Sequence, residues 1–476
     1  MKHIPQRKNN YFFFFTERLG KGIRLYFFFL LITFISFSCK KDFSNLEGQQ
    51  DETTNSSTGR FMNGSSKPNI ILIIVDDMGY EIPNYTGGES YQTPALDFMA
   101  SRGMQFTQAY CHPDGFPSRI AALTGKYNFR NYITWGILPP SEKTIANMLQ
   151  DAGYATCFVG KWQNDGGDQR IHDAGFDQYL AYLPYSNNVE TDLIRRYKNP
   201  LLYENGSYLP DSITNNKYSE DFNVDYLNNF IDSNVTHPFF AIYSMPLIQR
   251  PWSPTPDDPE FADWDPNTSQ EDINFFPSMV KYMDKKIGEV LTHIQSKGLR
   301  GKTLVMVTTD NATNVFIHSI YNGKSRKGSK NATKLWGIRI PLVAMWPSKI
   351  LPGQVSNTLI DFTDFLPTLA DVARIPKPAD YGILDGVSFY DNMRGIPGID
   401  RSWSFCQWDN NPTDNTPMIR YINDTMYKLY DTPAYDSFYN VKNDVNEKKE
   451  LNINNLTESE IAIRDSFIAV LQSMHN

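Results

Sequence analysis

Residues 69–75 read Asn69-Ile-Ile-Leu-Ile-Ile-Val75, and the next two residues are Asp76 and Asp77. After Asn69 the run is apolar throughout and β-branched except for Leu72. Such a run, with no polar alternation, suits a strand buried on both faces in the middle of a parallel sheet. Three more stretches share the design. Thr303-Leu-Val-Met-Val-Thr-Thr309 leads into Asp310-Asn311, Tyr154-Ala-Thr-Cys-Phe-Val159 into Gly160-Lys161-Trp162, and Phe239-Phe-Ala-Ile-Tyr243 into Ser244-Met245-Pro246. Helical patterns lie between them. Residues 141–153 place Ile145, Met148, Leu149 and Ala152 at helical spacing and close on Gly153, and residues 277–298 repeat the device ahead of Thr303. Strands alternating with helices predict an α/β fold: a large, mostly parallel sheet flanked by helices on both faces. In that architecture ligands sit beyond the carboxyl ends of the strands, which is where the polar residues gather here.

Two acidic clusters, each directly following a buried run, point to a cation. Unpaired carboxylates at the mouth of a core repel one another unless a positive charge joins them. Asp76, Asp77, Asp310 and Asn311 offer only oxygen donors, which favours a hard ion, calcium ahead of magnesium. Zinc does not suit the set, since no histidine accompanies the carboxylates.

The chain has 476 residues, with 53 acidic and 45 basic side chains and a net charge of −8. Residues 1–38 hold six basic groups and one acidic group, so the remainder carries 39 basic against 52 acidic groups, a balance of −13. An acidic body excludes sequence-independent nucleic-acid binding, which needs basic groups on the phosphates. Four cysteines in this length exclude a disulfide scaffold. At the amino terminus, basic residues precede the thirteen-residue apolar stretch Leu25–Phe37, too short to span a bilayer comfortably but suited to a secretory signal. Ser36 and Ser38 lead into Cys39, which resembles the lipidation site of a bacterial lipoprotein signal, although Ser36 stands where leucine is usual. Residues 1–38 are therefore expected to be a lipoprotein-type signal peptide, and 39–67 a disordered tether, polar and without periodicity. The expected location is outside the cytoplasm, periplasmic or at the cell surface, with the membrane touched only through a lipid anchor on Cys39.

From about Pro68 to Leu451 the chain resembles the sulfatases of the alkaline-phosphatase superfamily. Pro68-Asn-Ile-Ile-Leu-Ile-Ile-Val-Asp-Asp-Met-Gly79 is similar to the family's opening metal strand, and Thr93–Gly103 to the helix that follows it. Pro117-Ser-Arg-Ile-Ala-Ala-Leu-Thr-Gly125 resembles the helix behind the nucleophile. Gly160-Lys-Trp162, Asp310-Asn311 and Gly337-Ile-Arg-Ile-Pro341 match further blocks. Asp385–Ser388 and Phe438–Leu451 resemble parts of the family's carboxyl-terminal subdomain. The resemblance implies an α/β domain over 68–395, a smaller α+β subdomain over 396–476, and action on sulfate esters of a sulfated or anionic carbohydrate. It implies Asp76, Asp77, Asp310 and Asn311 as calcium ligands, Arg119 beside the nucleophile, and Lys161, Gln163 and Lys330 against the substrate. A helix starting near Pro117 would also aim its amide groups at an anion.

The departures lie where the family does its chemistry. Its nucleophile is a cysteine or serine, oxidised to formylglycine, two residues before a proline and four before an arginine. Registered on Pro117 and Arg119, that position is Gly115, which has no side chain to oxidise. Cys111-His112-Pro113 is a decoy, because Gly115 then stands where arginine belongs. The histidine after Gly160-Lys-Trp162 is Gln163, and the Pro-His pair after the fourth strand is Pro246-Leu247. Gln163 can only hydrogen-bond, and Leu247 can do neither job of an acid or a base. In a serine-protease triad, loss of the nucleophile with its partners costs on the order of 10⁶ in rate, about 8 kcal/mol. Three readings follow: a hydrolase using cation-activated water, oriented by Asp114; a binding protein for sulfated glycans without turnover; and a lipoprotein whose metal serves only the fold. The geometric expectation is that the four metal-binding residues converge with Gly115 facing them at a helix start, and that Cys111 stays outside. Substrate choice is expected to lie in loops 181–215 and 251–275, which carry no motif.

Overall fold

Asn69–Val75 forms the first strand, β1, and each of its seven residues is buried. The computed structural model describes residues 67–131, 137–185, 194–376, 379–408, 418–431 and 437–474. The expected signal peptide, Cys39 and the tether up to residue 66 lie outside the described residues. Among the described residues, no helix is long and apolar enough to cross a membrane.

The strands that follow are β2 (Met104–Tyr110), β3 (Ala155–Lys161), β4 (Gln178–Tyr182), β5 (Tyr203–Glu204), β6 (Ser207–Tyr208), β7 (Phe239–Met245) and β8 (Thr303–Thr309). After them come the hairpin strands β9 (His318–Tyr321) and β10 (Lys324–Lys327), then β11 (Arg339–Met345) and β12 (Gln354–Asp361). Ten of these make one sheet among the described residues, in the order β12-β2-β11-β8-β1-β7-β3-β4-β5-β6. The centre is parallel: β1 pairs with β7 and β8, and β3 with β4 and β7. β11 runs antiparallel to both β2 and β8, and β5 and β6 add an antiparallel edge. The predicted strands are all present. β7 extends the Phe239–Tyr243 run to Met245, because β1 supplies ladder partners as far as Val75.

Side chains of a strand alternate between faces, so β1 serves two cores. Ile70, Leu72 and Ile74 pack with Ile120, Leu123, Ile145, Leu149, Leu366 and Leu369 in one cluster. That layer holds the helices Gly115–Thr124, Ile145–Asp151 and Phe365–Ala373, and the other face carries Pro94–Arg102, Ser219–Ser233 and Phe276–Ser296. Each aliphatic side chain so buried contributes about 1.5–3 kcal/mol. The helix predicted over 141–153 begins at Ile145. Thr144 takes the N-cap, accepting from the amides of Ala146 and Asn147, while Asn147 reaches back to the Thr144 amide.

The last part of the chain forms a separate four-stranded antiparallel sheet from β13 (Ser404–Trp408), β14 (Ile419–Asn423), β15 (Tyr427–Asp431) and β16 (Phe438–Asn440). Phe467 and Leu471 of the helix Glu458–Ser473 pack on Phe405, Ile422, Leu429 and Phe438. A buried ion pair, Arg401 with Asp364, joins this part to the large domain.

Candidate metal and anion site

β1 and β8 are neighbours, so the residues after each emerge side by side. The Asp310 amide donates to Val75 O at 3.1 Å, and the Asp76 amide to Met245 O at 3.0 Å and Leu247 O at 3.1 Å. Asp77 turns into the left-handed region with φ 65°, after which the Met78 amide donates to Thr309 Oγ1 at 3.0 Å. Oxygens of Asp76, Asp77 and Asp310 come within 4.8 Å of one another, and all three residues are buried. Asn311 donates through Nδ2 to Asp310 Oδ1 at 2.8 Å, which leaves its own oxygen turned outward from that bond. Asp76 Oδ1, Asp77 Oδ2 and Asn311 Oδ1 are buried without a hydrogen-bond partner among the described residues. Buried polar atoms are rarely left so, and each orphan costs about 1–3 kcal/mol. An all-oxygen set with three orphaned acceptors fits a hard divalent cation.

Three cations surround the acids. Lys161 donates to Asp76 Oδ2 and to Gln249 Oε1, the latter at 2.9 Å. Lys330 donates to Asp77 Oδ1 at 2.5 Å. Arg119 divides its guanidinium between Asp310 Oδ2 and Gln163 Oε1. Burial, reinforced by the neighbouring Asp76 and Asp310 charges, pushes Asp77 up to about 7 against the pull of Lys330. Burial and Asp76 raise Asp310 to about 6 against Arg119. Asp76 goes the other way. Burial would raise it, but Lys161, Lys330, Arg119 and Arg196 together hold it far below the usual carboxylate range. Lys161 is lowered to about 8, by burial first and then by Arg119 and Arg196. The site thus carries strong unlike charges in close quarters, an arrangement suited to gripping a cation and an anion together.

Gly115 opens the helix Gly115–Thr124, and Asp114 caps it by accepting from the Phe116 amide at 3.0 Å. A Cβ on Gly115 would lie 2.1 Å from Asp310 Oδ2 and 2.8 Å from Asn311 Nδ2, so the backbone at 115 rests directly on the acidic cluster. Cys111 lies in the apolar core cluster, where burial drives its thiol well up, and it stands outside the group of converging acids. Gln163 reaches Arg119 from a left-handed conformation, φ 53°. Leu247 is fully buried and contributes only its carbonyl, on the Asp76 amide. His112 is buried, and burial lowers its pKa. His318 is exposed at the start of β9 opposite Lys327, while His172, in the helix Gly167–Asp173, bonds Phe176 O at 2.8 Å. Cys157 is a buried free thiol inside β3.

The sequence reading missed two supports. Gln249 and Arg196 back the site from the segments after β7 and before β5, with Arg196 held by Arg250 O and Tyr182 Oη. The second is a clamp from the small sheet. Lys428 on β15 is wholly buried, donates to Thr333 O, and lies 4.1 and 4.7 Å from the ring centres of Tyr421 and Tyr430. Glu447 accepts from the Leu335 amide at 2.7 Å and from Tyr430 Oη at 2.5 Å. These bonds fix the 329–335 loop, which delivers Lys330 to Asp77 and sends the Asn331 amide to Pro113 O at 3.0 Å. No motif announces either device, because each is a tertiary meeting of residues distant in the chain.

Comparison with known proteins bears on this geometry. A sulfatase family profile matches residues 68–375, and a profile described as N-sulphoglucosamine sulphohydrolase, C-terminal, matches residues 334–469. The chain belongs to the sulfatase family. It is 30% identical over 366 residues to N-acetylgalactosamine-6-sulfatase of Rattus norvegicus, covering 70% of this chain and 67% of that protein. It is also 30% identical to arylsulfatase A of Bos taurus over 367 residues, with 70% and 68% covered. Among solved structures it is similar to Ps i-CgsB in complex with k-i-k-neocarrahexaose, with TM-score 0.70, 23% identity, and 86% and 92% of the two chains covered. BT4656 in complex with its substrate D-glucosamine-2-N,6-O-disulfate gives TM-score 0.70 and 21% identity, with 86% and 97% covered. These two structures share the sulfatase α/β fold with this family member. Sulfatases typically bind a divalent metal, and the buried acids are where this sulfatase-family chain gathers its oxygen donors.

Proposed function

We propose that this protein recognises sulfated glycans at a calcium site, and that it does so without the formylglycine chemistry of its relatives. The observation that carries the reading is the meeting of Asp76, Asp77 and Asp310, with three orphaned buried oxygens on Asp76, Asp77 and Asn311, directly against the backbone of Gly115. Asp76, Asp77, Asp310 and Asn311 would hold calcium, with magnesium the less suitable ion, and the bound ion would supply positive charge to a sulfate oxygen. Arg119, Lys161 and Lys330 add charge-assisted donors around the same point, and Gln163 orients Arg119. Glycine at 115 leaves no atom to form a covalent intermediate. Leucine at 247 and glutamine at 163 leave no proton carrier where the family has histidines. The related proteins named above act on sulfate esters by name, which supports a sulfate ester of a carbohydrate as the ligand. Cys39 and the apolar run before it support export and a lipid anchor at a membrane surface.

The test is a pair of assays on the wild type and on an Asp76→Ala/Asp310→Ala variant. Sulfate and phosphate release would be followed on aryl esters and sulfated oligosaccharides, and glycan binding by calorimetry with calcium or a chelator. Calcium-dependent binding, lost in the variant and unaccompanied by product, is the expected result. Release of sulfate or phosphate that the variant abolishes would replace this reading with a hydrolase. Absence of binding, with calcium still raising the melting temperature, would leave a structural role.

A further inference from the structure

The hairpin β9–β10 packs one face on the protein and leaves the other bare. Inward, Ser319 is buried with its Oγ 3.3 Å from Tyr91 Oη, and Tyr321 stands edge-on to Trp336 with ring centres 5.2 Å apart. The Arg326 guanidinium lies 4.6 Å from the same Trp336 ring. The backbone of Ile320 is tied as well, its amide donating to Ser90 Oγ at 2.7 Å and its carbonyl accepting from the Glu89 amide at 2.9 Å. Outward, the paired residues His318 and Lys327, and Ile320 and Ser325, are all exposed. Ile320 is 40% exposed, and just before β9 Val315 is 37% and Phe316 59% exposed. One exposed apolar side chain is ordinary, but three within six residues, held on a fixed hairpin, make an apolar surface.

Positive charge gathers on the same hairpin. No acidic residue occurs between Asp310 and Asp361, where seven lysines and arginines stand, in a chain with a net charge of −8. Four of the seven are spent within the protein: Arg326 on Trp336, Lys330 on Asp77, Lys334 on Asn446 O and Glu447 O, and Arg339 on Thr107 O. The ammonium groups of Lys324 and Lys327 make no ion pair or hydrogen bond among the described residues. Glu89 reaches the turn between the strands, where its Oε1 accepts from the Gly323 amide at 2.9 Å. Free lysines beside exposed aromatic and branched side chains suit an anionic lipid surface, with cations on the headgroup phosphates and apolar groups at the acyl boundary. A sulfated polysaccharide would use the cations and leave Val315, Phe316 and Ile320 without a partner. Residues 40–66 separate Cys39 from Lys67. A coil of about 27 residues spans about 30 Å, so a lipid on Cys39 would keep a bilayer within reach.

We propose that the outer face of this hairpin docks on an anionic lipid bilayer, a second membrane contact besides Cys39, with Phe316 and Ile320 entering the headgroup region and Lys324 and Lys327 on lipid phosphates. The proposal rests on the lipid-anchor reading of Cys39, and the experiment separates the two. The full protein, recovered from the membranes of the cells that make it, would be reconstituted with vesicles of phosphatidylcholine, alone or mixed with phosphatidylglycerol, and floated. Cys111, Cys157 and Cys406 are buried, so an environment-sensitive fluorophore would take a thiol introduced by Ile320→Cys, or by Val235→Cys as a control on the exposed turn ahead of β7. Emission from position 320 should move to the blue on phosphatidylglycerol vesicles only, and emission from 235 on neither. Lys324→Ala and Lys327→Ala should each lower the ratio of docked to free hairpin about fivefold, and Phe316→Ser about tenfold or more. Floated protein with an unshifted label at 320, or with equal shifts at 320 and 235, overturns the docking surface and leaves the anchor standing. Protein that fails to float with either vesicle overturns the anchor and the docking with it. Retention on a sulfated-polysaccharide column that the lysine variants lose and Phe316→Ser keeps, without a shift on vesicles, reassigns the hairpin to a glycan and overturns the lipid surface.

Discussion

Replacing Gly115 by alanine sets a small helix gain against a collision. The new Cβ would stand 2.1 Å from Asp310 Oδ2, where ordinary contact begins at 3.4 Å, so the carboxylate must retreat by about 1.3 Å. It has little freedom to do so, because the same oxygen accepts from Arg119 and both side chains are at most 5% exposed. Overpacking of this kind costs about 1–3 kcal/mol. Full loss of a buried ion-pair partner, an upper bound here, costs about 3–5 kcal/mol. Alanine returns up to about 1 kcal/mol of helix propensity. The expected balance is a loss of about 1–3 kcal/mol, or roughly 1–4 °C in melting temperature for a chain of this size. Calcium binding should weaken as well, since Asp310 is moved. Differential scanning calorimetry, with calcium and with chelator, reads both effects. Gly301→Ala is the control: nothing lies within 4 Å of its Cβ, and it should stay within about 0.5 kcal/mol of wild type. A Gly115→Ala protein that melts at or above the wild-type temperature, with calcium affinity intact, would falsify the placement of residue 115 against the acids.

The remaining predictions concern the metal, one buried acid and the clamp. Calcium at a hundred times its dissociation constant should stabilise the wild type by about 2.7 kcal/mol and the Asp76→Ala/Asp310→Ala variant not at all; a calcium-independent melting temperature in wild type sinks the metal assignment. Burial pushes Glu220 up to about 7 from 4.5, although Tyr243 and Asn223 donate to it. The folded state thus keeps a proton that the unfolded chain releases. This contribution to stability is intact below about pH 4.5 and fades as pH rises to about 7. Denaturation of Glu220→Gln at pH 5 and pH 8 should show up to about 3 kcal/mol less decline than wild type, and an unchanged decline contradicts the assignment. Lys428→Met should cost about 3–5 kcal/mol, because Glu447 stays buried without its cation. It should also weaken sulfated-glycan binding by loosening the Lys330 loop, and calorimetry showing undiminished affinity in a folded variant would refute the coupling.

The sheet's centre was legible because strands buried on both faces have no polar face to interrupt the pattern. Runs 69–75 and 303–309 predict strands with the observed bounds, and the acids that follow them meet as expected. β11 is less readable. Pro341 argues against a central strand, since proline cannot donate to a ladder. The structure accommodates it at a register shift between Ile340 and Leu342, with Pro341 O accepting from Thr308 Oγ1 at 2.9 Å. Lys161, Arg119 and Lys330 could be placed near the anion by resemblance, but their one-to-one pairing with the three acids depends on loop conformations that no periodicity encodes. The same holds for Gln249. The stretch 252–265 reads as a solvated acidic loop, yet its turn is held by Lys198 from 63 or more residues away, a contact invisible to any local rule.

The clamp on the Lys330 loop sets an order of assembly. Asp76 and Asp77 leave the ribosome early, Asp310 much later, and the residues that steady Lys330 only at 428–447. A chain cut short after the large sheet would own every acid of the cluster yet hold its lysine slackly. Contacts so distant in the chain form slowly, so a cation arriving before the small sheet has docked would meet acids already in place and a loop still free to wander.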